Sequence, residues 1–143
     1  MLRNMGAKVK FLQTLANAAV TADTNSTGFD CKDFGAVGHL VSVGSFTFTG
    51  TNKITLKMQY SDDNSTFTDV PAAEMYSSAD QKEGSTDGVC KILDEAGDAS
   101  KVYFFEYRGS KRYSRIAQVV GGTVSVGVSV AVMGSHSEFM PAL

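Results

Sequence analysis

Valine alternates with small residues along the stretch TVSVGVSVAVM, residues 123–133. An apolar period of two is typical of a β-strand that buries one of its faces. The opposite face carries Ser, Gly and Ala in place of the charged residues that a solvated face would show. We therefore predict an interior strand of a β-sandwich whose bare face meets the other sheet. Contact with another subunit is the alternative for that face.

Other strand patterns surround this stretch and are separated by turns. Apolar side chains alternate along residues 54–60, and the turn that follows is rich in Asp, Asn and Ser. Because Asn and Asp tolerate the positive φ that short loops need, residues 54–70 are predicted to form a β-hairpin. The basic turn 108–111 and the pair Gly121-Gly122 indicate two further hairpins, the second leading into the valine strand.

Short strands with turns this frequent predict one all-β domain, an antiparallel β-sandwich or jelly roll. Residues 1–22 are predicted to be an N-terminal arm or a short helix, with a strand as the alternative, because helical apolar spacing occurs without a clear N-cap. The sandwich domain is placed at residues 23–134, with a long polar loop at 72–88. Residues 135–143 are predicted to be a C-terminal tail.

The composition sets limits on the class of protein. With 143 residues the chain fits a single domain that can bury a core. The net charge of −2 gives no overall attraction for nucleic acid, so such a role would need a local basic patch. Two cysteines without motif spacing predict a protein made and folded in a reducing cytoplasm. No stretch has the uninterrupted apolar length of a membrane span, so no membrane association is expected.

Catalytic or metal-binding chemistry has little support in the sequence. His39 and His136 are the only histidines, and neither has a carboxylate or cysteine at the spacing of a triad or a metal site. Both are predicted at surface or rim positions. Residues 62–64 resemble part of a calcium loop but lack the Gly and Glu of that motif, so a hairpin turn is the better interpretation. The sequence therefore predicts a protein that is not an enzyme and uses no metal or cofactor.

A group of basic residues is the strongest local charge feature. Three interpretations are open: a turn with solvated charges, a protein interface that uses the area and donor geometry of Arg, and a phosphate-binding patch with stacking tyrosines. Four charges at one turn give only a modest counterion-release contribution, which argues against nucleic acid. The candidate interface residues are Arg108, Lys111, Arg112 and Arg115, with Tyr107 and Tyr113 beside them.

The tail carries a second candidate protein contact. Its apolar residues Phe139, Met140 and Leu143 show no period, and we expect them to dock on another surface. Docking on the chain's own domain and docking on a neighbouring protein are both open.

Three strand-and-turn stretches stand out when they are taken together. They are LKMQYSDDNSTFTDV at residues 56–70, YRGSKRYSR at 107–115, and VAVMGS at 130–135 with Pro-Ala further on. In this combination the chain resembles a family of small virion proteins of tailed bacteriophages. That family commonly has Gly where this chain has Asn64, and Asn keeps the turn because it tolerates positive φ.

The resemblance implies a β-sandwich structural component of the phage virion, made in the host cytoplasm. It implies a capsid decoration, or cement, protein that binds the major capsid protein on the outside of the head and stabilises the shell. A homotrimer or another homo-oligomer is expected, with the tail docking on a neighbour. Because several phage structural proteins share such sandwiches, a tail tube, neck or head-to-tail connector protein stays open.

Two further classes of protein are more remote. A carbohydrate-binding module would use Tyr60, Tyr103, Tyr107 and Tyr113 as its sugar platform. The absence of tryptophan argues against it, because sugar sites use large exposed aromatic faces. An enzyme would need an activity that is lost when one of the two histidines is changed.

Overall fold

The computed structural model describes residues 9–76 and 86–135. Those residues form β-strands and two short 3-10 turns, Ala72–Glu74 and Ala96–Asp98. In chain order, the strands in these ranges are β1 (Val9–Val20), β2 (Thr24–Asn25), β3 (Phe29–Asp30), β4 (Ala36–Val43), β5 (Lys53–Ser61), β6 (Thr68–Asp69), β7 (Met75–Tyr76), β8 (Val89–Leu93), β9 (Lys101–Tyr107), β10 (Tyr113–Gly121) and β11 (Val126–Ser135).

The strands form two antiparallel sheets. The first sheet has five strands in the order β1-β11-β4-β9-β7. The second sheet has the order β2-β10-β5-β6, with β3 also paired to β10 and β8 to β5. Side chains from both sheets meet in one hydrophobic core. The predicted all-β antiparallel sandwich is therefore confirmed.

The valine strand supplies much of that core. Val126, Val128 and Val130 are buried in one cluster with Leu56 of β5 and Ile116 of β10. The strand is interior, between β1 and β4, as predicted. The prediction that its bare face meets the other sheet is wrong, because the valine face does so. Stacked sheets lie about 10 Å apart, and only large side chains can fill that space.

Strand β1 occupies the place of the predicted arm or short helix. Its 12 residues pair antiparallel with β11, starting at Val9↔Ser135. Helical apolar spacing is a weak preference, whereas the open side of β11 offers a ladder of backbone hydrogen bonds. Register shifts on both sides of Leu15 mark irregularities in the strand. The described part of the sandwich therefore begins at residue 9, not at residue 23.

The hairpin predicted for residues 54–70 is present. Its strands β5 and β6 pair at Gln59↔Asp69. Asn64 in the turn has a φ of 60°, which is the left-handed conformation that Asn tolerates. The interpretation of residues 62–64 as a hairpin turn is confirmed by this geometry.

The other two predicted hairpins are wrong. Residues 108–112 connect β9 in the first sheet to β10 in the second, and residues 122–125 connect β10 back to β11 in the first. Both segments therefore cross between the sheets at the ends of the sandwich. An apolar alternation fixes which face of a strand is buried, and that face is the same whether the next strand lies beside it or opposite it.

Some predicted features lie outside the described residues. These are residues 77–85 of the predicted loop and residues 136–143 of the predicted tail, with Phe139, Met140 and Leu143. The described start of the loop contains the turn Ala72–Glu74 and strand β7.

Candidate functional site

An open cleft of about 790 Å³ lies at the end of the sandwich where residues 108–112 cross between the sheets. We call it the end cleft. Its walls come from the end of β9, from the crossing segment and from the loop that precedes β4. The lining residues that carry charge are Lys32, Asp62, Glu106, Arg108, Lys111 and Arg112.

Arg112 joins the crossing segment to β3 of the second sheet. Its Nε donates to Asp30 Oδ1 at 3.0 Å, and a terminal nitrogen donates to Asp30 Oδ2 at 2.8 Å. The guanidinium also lies 5.2 Å from the ring centre of Tyr113. The hydrogen bonds from Arg112 lower the pKa of the Asp30 carboxyl to about 2. This bidentate pair fixes the start of β10 against β3.

Arg108 and Lys111 are also engaged inside the chain. Arg108 pairs with Glu106 at 3.1 Å and lies 4.5 Å from the ring centre of Tyr76. Lys111 Nζ lies 3.6 Å from Asp62 Oδ2 and 4.7 Å from the ring centre of Tyr60. Acidic and aromatic partners at these distances compete with any external phosphate for both cations.

Arg115 does not belong to the end cleft. It lies on the outer face of the second sheet, where its Nε and a terminal nitrogen donate to Gln59 Oε1 at 3.0 and 2.8 Å. Its guanidinium stacks 4.0 Å from the ring centre of Phe67. The structure thus brings Arg108, Lys111 and Arg112 together and separates Arg115 from them. A phosphate-binding patch of all four residues does not form.

Tyr107 shapes the crossing segment. Its hydroxyl donates to the carbonyl oxygen of Lys111 at 2.7 Å and accepts from the N–H of Lys111 at 3.0 Å. The ring lies so close to Gly109 that a Cβ at this position would collide with it. Burial raises the pKa of the Tyr107 hydroxyl, so this group stays protonated. The turn is therefore held in one shape before any partner arrives.

A chain of polar groups runs from the core to the cleft, from buried His39 and Ser114 to the half-buried Cys31, which lines the cleft. His39 Nε2 lies 2.9 Å from Ser114 Oγ, which lies 3.4 Å from Cys31 Sγ. His39 has no exposed surface, so its predicted surface or rim position is wrong. Burial lowers the pKa of His39 to about 4 and raises the pKa of the Cys31 thiol. The missed signal was the alternation of β4, which places residues 37, 39, 41 and 43 on one buried face.

The proposed aromatic sugar platform does not form. Tyr103 and Tyr107 are buried in the core, with 4% and 5% of their surface exposed. Tyr60 packs edge-on against Tyr107 at 6.4 Å between ring centres. Tyr60 and Tyr113 are both half-buried, and the register places them on opposite faces of the second sheet. Half-buried rings on opposite faces are a poor platform for a sugar.

Asp63 illustrates why the acidic turn is structural. Its Oδ1 accepts hydrogen bonds from the N–H groups of Ser65 and Thr66, each at 2.9 Å, and from Ser61 Oγ at 2.8 Å. These bonds lower the pKa of the carboxyl to about 2. Within residues 9–76 and 86–135, no three His, Cys, Asp or Glu side chains come together as metal ligands would.

The outer face of the first sheet follows from its register. Residues opposite one another on neighbouring strands share a face. We call the outer surface made by β1, β11, β4, β9 and β7 the apolar face. Its rows, starting from the Val9–Ser135 end of the ladder, are Val9-Ser135-Ala36, then Phe11-Met133-Gly38-Glu106-Tyr76, then Gln13-Ala131-Leu40-Phe104, then Ser129-Ser42-Val102.

A groove of about 210 Å³ lies in this face near the end of β11. We call it the apolar groove. Phe104 and Met133 form its sides and Ser135 its rim. Gly38 lies at its floor, where a Cβ would collide with the Phe104 ring. Glycine is therefore required for Phe104 to lie flat against the sheet.

No family model matches this chain, and no curated protein matches it. Two solved structures share the fold. The PBSX exported protein XepA has a TM-score of 0.53 at 17% identity, over 100% of this chain and 42% of XepA. The chain thus spans less than half the length of XepA. The SPBc2 prophage-derived protein YomS has a TM-score of 0.51 at 14% identity, over 87% of this chain and 92% of YomS.

These likenesses define the class of protein as an antiparallel β-sandwich of the kind found in XepA and in the prophage-derived YomS. At such low identity the likeness concerns the fold alone. In the part of the chain that the structure describes, no helix is long and apolar enough to cross a bilayer.

Proposed function

We propose that this chain is a non-enzymatic structural protein of a phage particle. In this proposal it binds the major capsid protein on the outside of the head, as a decoration protein, and stabilises the shell as a homo-oligomer. The single observation that supports the phage assignment is the fold shared with the PBSX exported protein XepA and with YomS, which is named as a prophage-derived protein.

The end cleft supports a protein partner over a nucleic acid. Arg108, Lys111 and Arg112 each have an acidic partner in the chain, so little positive charge is free to displace counterions from a phosphate backbone. Arg and Tyr side chains held in fixed positions are typical of protein interfaces. Because Tyr107 holds the turn rigid, binding would cost little conformational entropy.

The polar chain from His39 to Cys31 supports a role without catalysis. Ser114 and His39 have no exposed surface, so no substrate reaches them. Cys31 is half-buried and lines the end cleft, but desolvation raises the pKa of its thiol, and the thiolate is the nucleophilic form. These groups therefore act as internal hydrogen-bond partners.

Head binding can be tested by co-sedimentation of the purified protein with phage heads that lack it. Lys111→Glu reverses a charge in the end cleft, and Lys101→Glu makes the same change at an exposed position outside the cleft. We expect the wild type and Lys101→Glu to sediment with heads and Lys111→Glu to bind at least tenfold more weakly. Failure of the wild type to bind heads, with labelling of the tail or neck by microscopy, would reject the decoration role.

A tail tube, neck or connector protein is the second candidate. The observation in its favour is the apolar face, which spans a whole sheet and suits a ring of subunits. Cryo-electron microscopy of the intact particle separates the two candidates. Density for this domain on the head surface supports the decoration role, and density only in the tail or neck supports the second candidate.

A further inference from the structure

We propose that the apolar face is the self-association surface of this chain, covered by a second copy that seats Phe139 of its tail in the apolar groove. The inference rests on the homo-oligomer of the proposed function and names its surface. It does not depend on which part of the phage the protein occupies.

The exposure of the apolar face is the first argument. Phe11, Val102 and Tyr76 have 59%, 58% and 54% of their surface exposed, on three different strands of one sheet. Leu40, Phe104 and Met133 lie between them and are half-buried. Contiguous apolar patches of this extent on a small domain mark interaction sites.

The charge of the face favours an identical partner. Among the rows defined above, Glu106 is the one charged residue, and it is paired with Arg108 at 3.1 Å. Two copies of a charged surface would meet with like charges opposed, at a cost to binding. A nearly uncharged face avoids that cost when the chain meets itself.

The width of the face shows whether one extended segment or a whole domain is needed to cover it. Five strands with spacings of about 4.8 Å give a face roughly 19 Å wide. One extended segment covers about one strand spacing of that width. The chain's own tail therefore cannot cover the face alone, whereas the surface of a second copy can.

The groove gives the tail of that copy a place to bind. A cavity of about 150 Å³ holds a benzene molecule, and the apolar groove has about 210 Å³. Phe139 follows Ser135 by four residues, which span up to about 13 Å when extended. Ser135 itself lines the groove, so Phe139 of the same chain would have to double back immediately after β11 to enter it, and we assign the groove to the tail of the neighbour.

Matched substitutions on the two outer faces test the surface. Val102→Glu places a charge on the apolar face, and Val119→Glu places the same charge at an exposed valine of the second sheet. By sedimentation velocity over a concentration series, we expect wild type and Val119→Glu to self-associate. The dissociation constant of Val102→Glu should rise tenfold or more. Circular dichroism checks that each variant is folded.

Phe139→Asp tests the tail. We expect it to weaken self-association by a similar factor. When each is mixed with Val102→Glu, Phe139→Asp should bind that variant more weakly than the wild type does. A wild type that stays monomeric at about 100 μM, a concentration on the order of the dissociation constant of a weak complex, would overturn the proposal. So would a Phe139→Asp protein that associates normally, since the groove would then be covered by another segment or a capsid protein.

The two proposals fail in different ways. If the wild type associates through the apolar face but does not bind heads, the decoration role is rejected and the self-association surface stands. If the wild type binds heads as a monomer, head binding stands, and both the homo-oligomer and the self-association surface are rejected.

Discussion

The two sheets of this sandwich share a core but differ in their outer faces. On the second sheet, Lys57 Nζ pairs with Asp69 Oδ2 at 2.6 Å, and Gln59 links Asp69 to Arg115 through hydrogen bonds of 2.8 to 3.1 Å. On the first sheet, the corresponding positions are the apolar rows around Leu40. An antiparallel sheet tolerates water on its outer face when that face is polar. The outer face of the second sheet is therefore suited to solvent, whereas that of the first sheet is the one that we propose to be covered.

The largest expected effect comes from the core that both faces share. The pKa of His39 is lowered to about 4 by burial, so the unfolded chain binds a proton between pH 6.5 and 4 that the folded chain does not. Stability should therefore fall as the pH falls through this window, by about 3 kcal/mol in total. His39→Gln should flatten the curve of unfolding free energy against pH over this range.

Urea unfolding of the wild type and His39→Gln at half-unit pH steps gives that curve. Lowered carboxyl pKa values, such as that of Asp30, act at lower pH, because their contribution is lost between about pH 4 and 2. A wild-type stability that is constant from pH 6.5 to 4 would show that His39 is not buried as a neutral group.

The next effect compares the two sides of strand β11. Val130→Ala removes buried methyl groups from the core and should cost about 2 kcal/mol of unfolding free energy. Ser129→Ala, its neighbour on the apolar face, should change stability by less than about 0.5 kcal/mol. Equal losses in chemical denaturation would mean that both sides of β11 are equally packed.

The polar face should contribute less. Asp69→Asn removes the ion pair with Lys57 and should cost about 0.5 to 1 kcal/mol at low salt, because both side chains are partly exposed. The pKa of Asp69 is lowered by its hydrogen bonds with Lys57 and Gln59, against the effect of burial. A double-mutant cycle with Lys57→Met measures the coupling energy of the pair. It is run at about 0.05 and about 0.5 M salt, where charge screening is weak and strong. A coupling energy that does not change with salt would contradict the exposed geometry.

The smallest effect belongs to the apolar face itself. Val102→Thr keeps the branched shape and β-propensity of the side chain and replaces one methyl group by a hydroxyl group at an exposed position. Its unfolding free energy, measured at a concentration where the chain is dissociated, should match wild type within about 0.5 kcal/mol. A larger loss would mean that the face is packed within the single chain.

The sequence alternation was sufficient to place most strands, because it reports which side chains are buried. It could not tell a hairpin from a crossing between sheets, as residues 108–112 illustrate, since the inward face is the same in both. The alternation also did not decide between a helix and a strand for β1, because residues 9–20 fit an apolar helical stripe as well as a strand. Only its pairing with β11 decides between them.

The basic residues were found from their closeness in sequence, and their partners were not. Asp30 and Asp62 come from distant segments, so the pairs with Arg112 and Lys111 depend on the tertiary fold. Arg115 could have been separated in advance. It lies two residues inside the strand that starts at Tyr113, whereas Arg108, Lys111 and Arg112 belong to the turn before that strand.

The pairing of Val9 with Ser135 has a mechanical consequence. These residues lie opposite one another at one end of the β1–β11 ladder, so a force that pulls them apart opens the ladder one pair at a time. Such peeling needs less force than shearing all the pairs at once. If the chain belongs to a phage particle, as we propose, the domain would best bear load through its faces or through one of these two strand ends, but not through Val9 and Ser135 together.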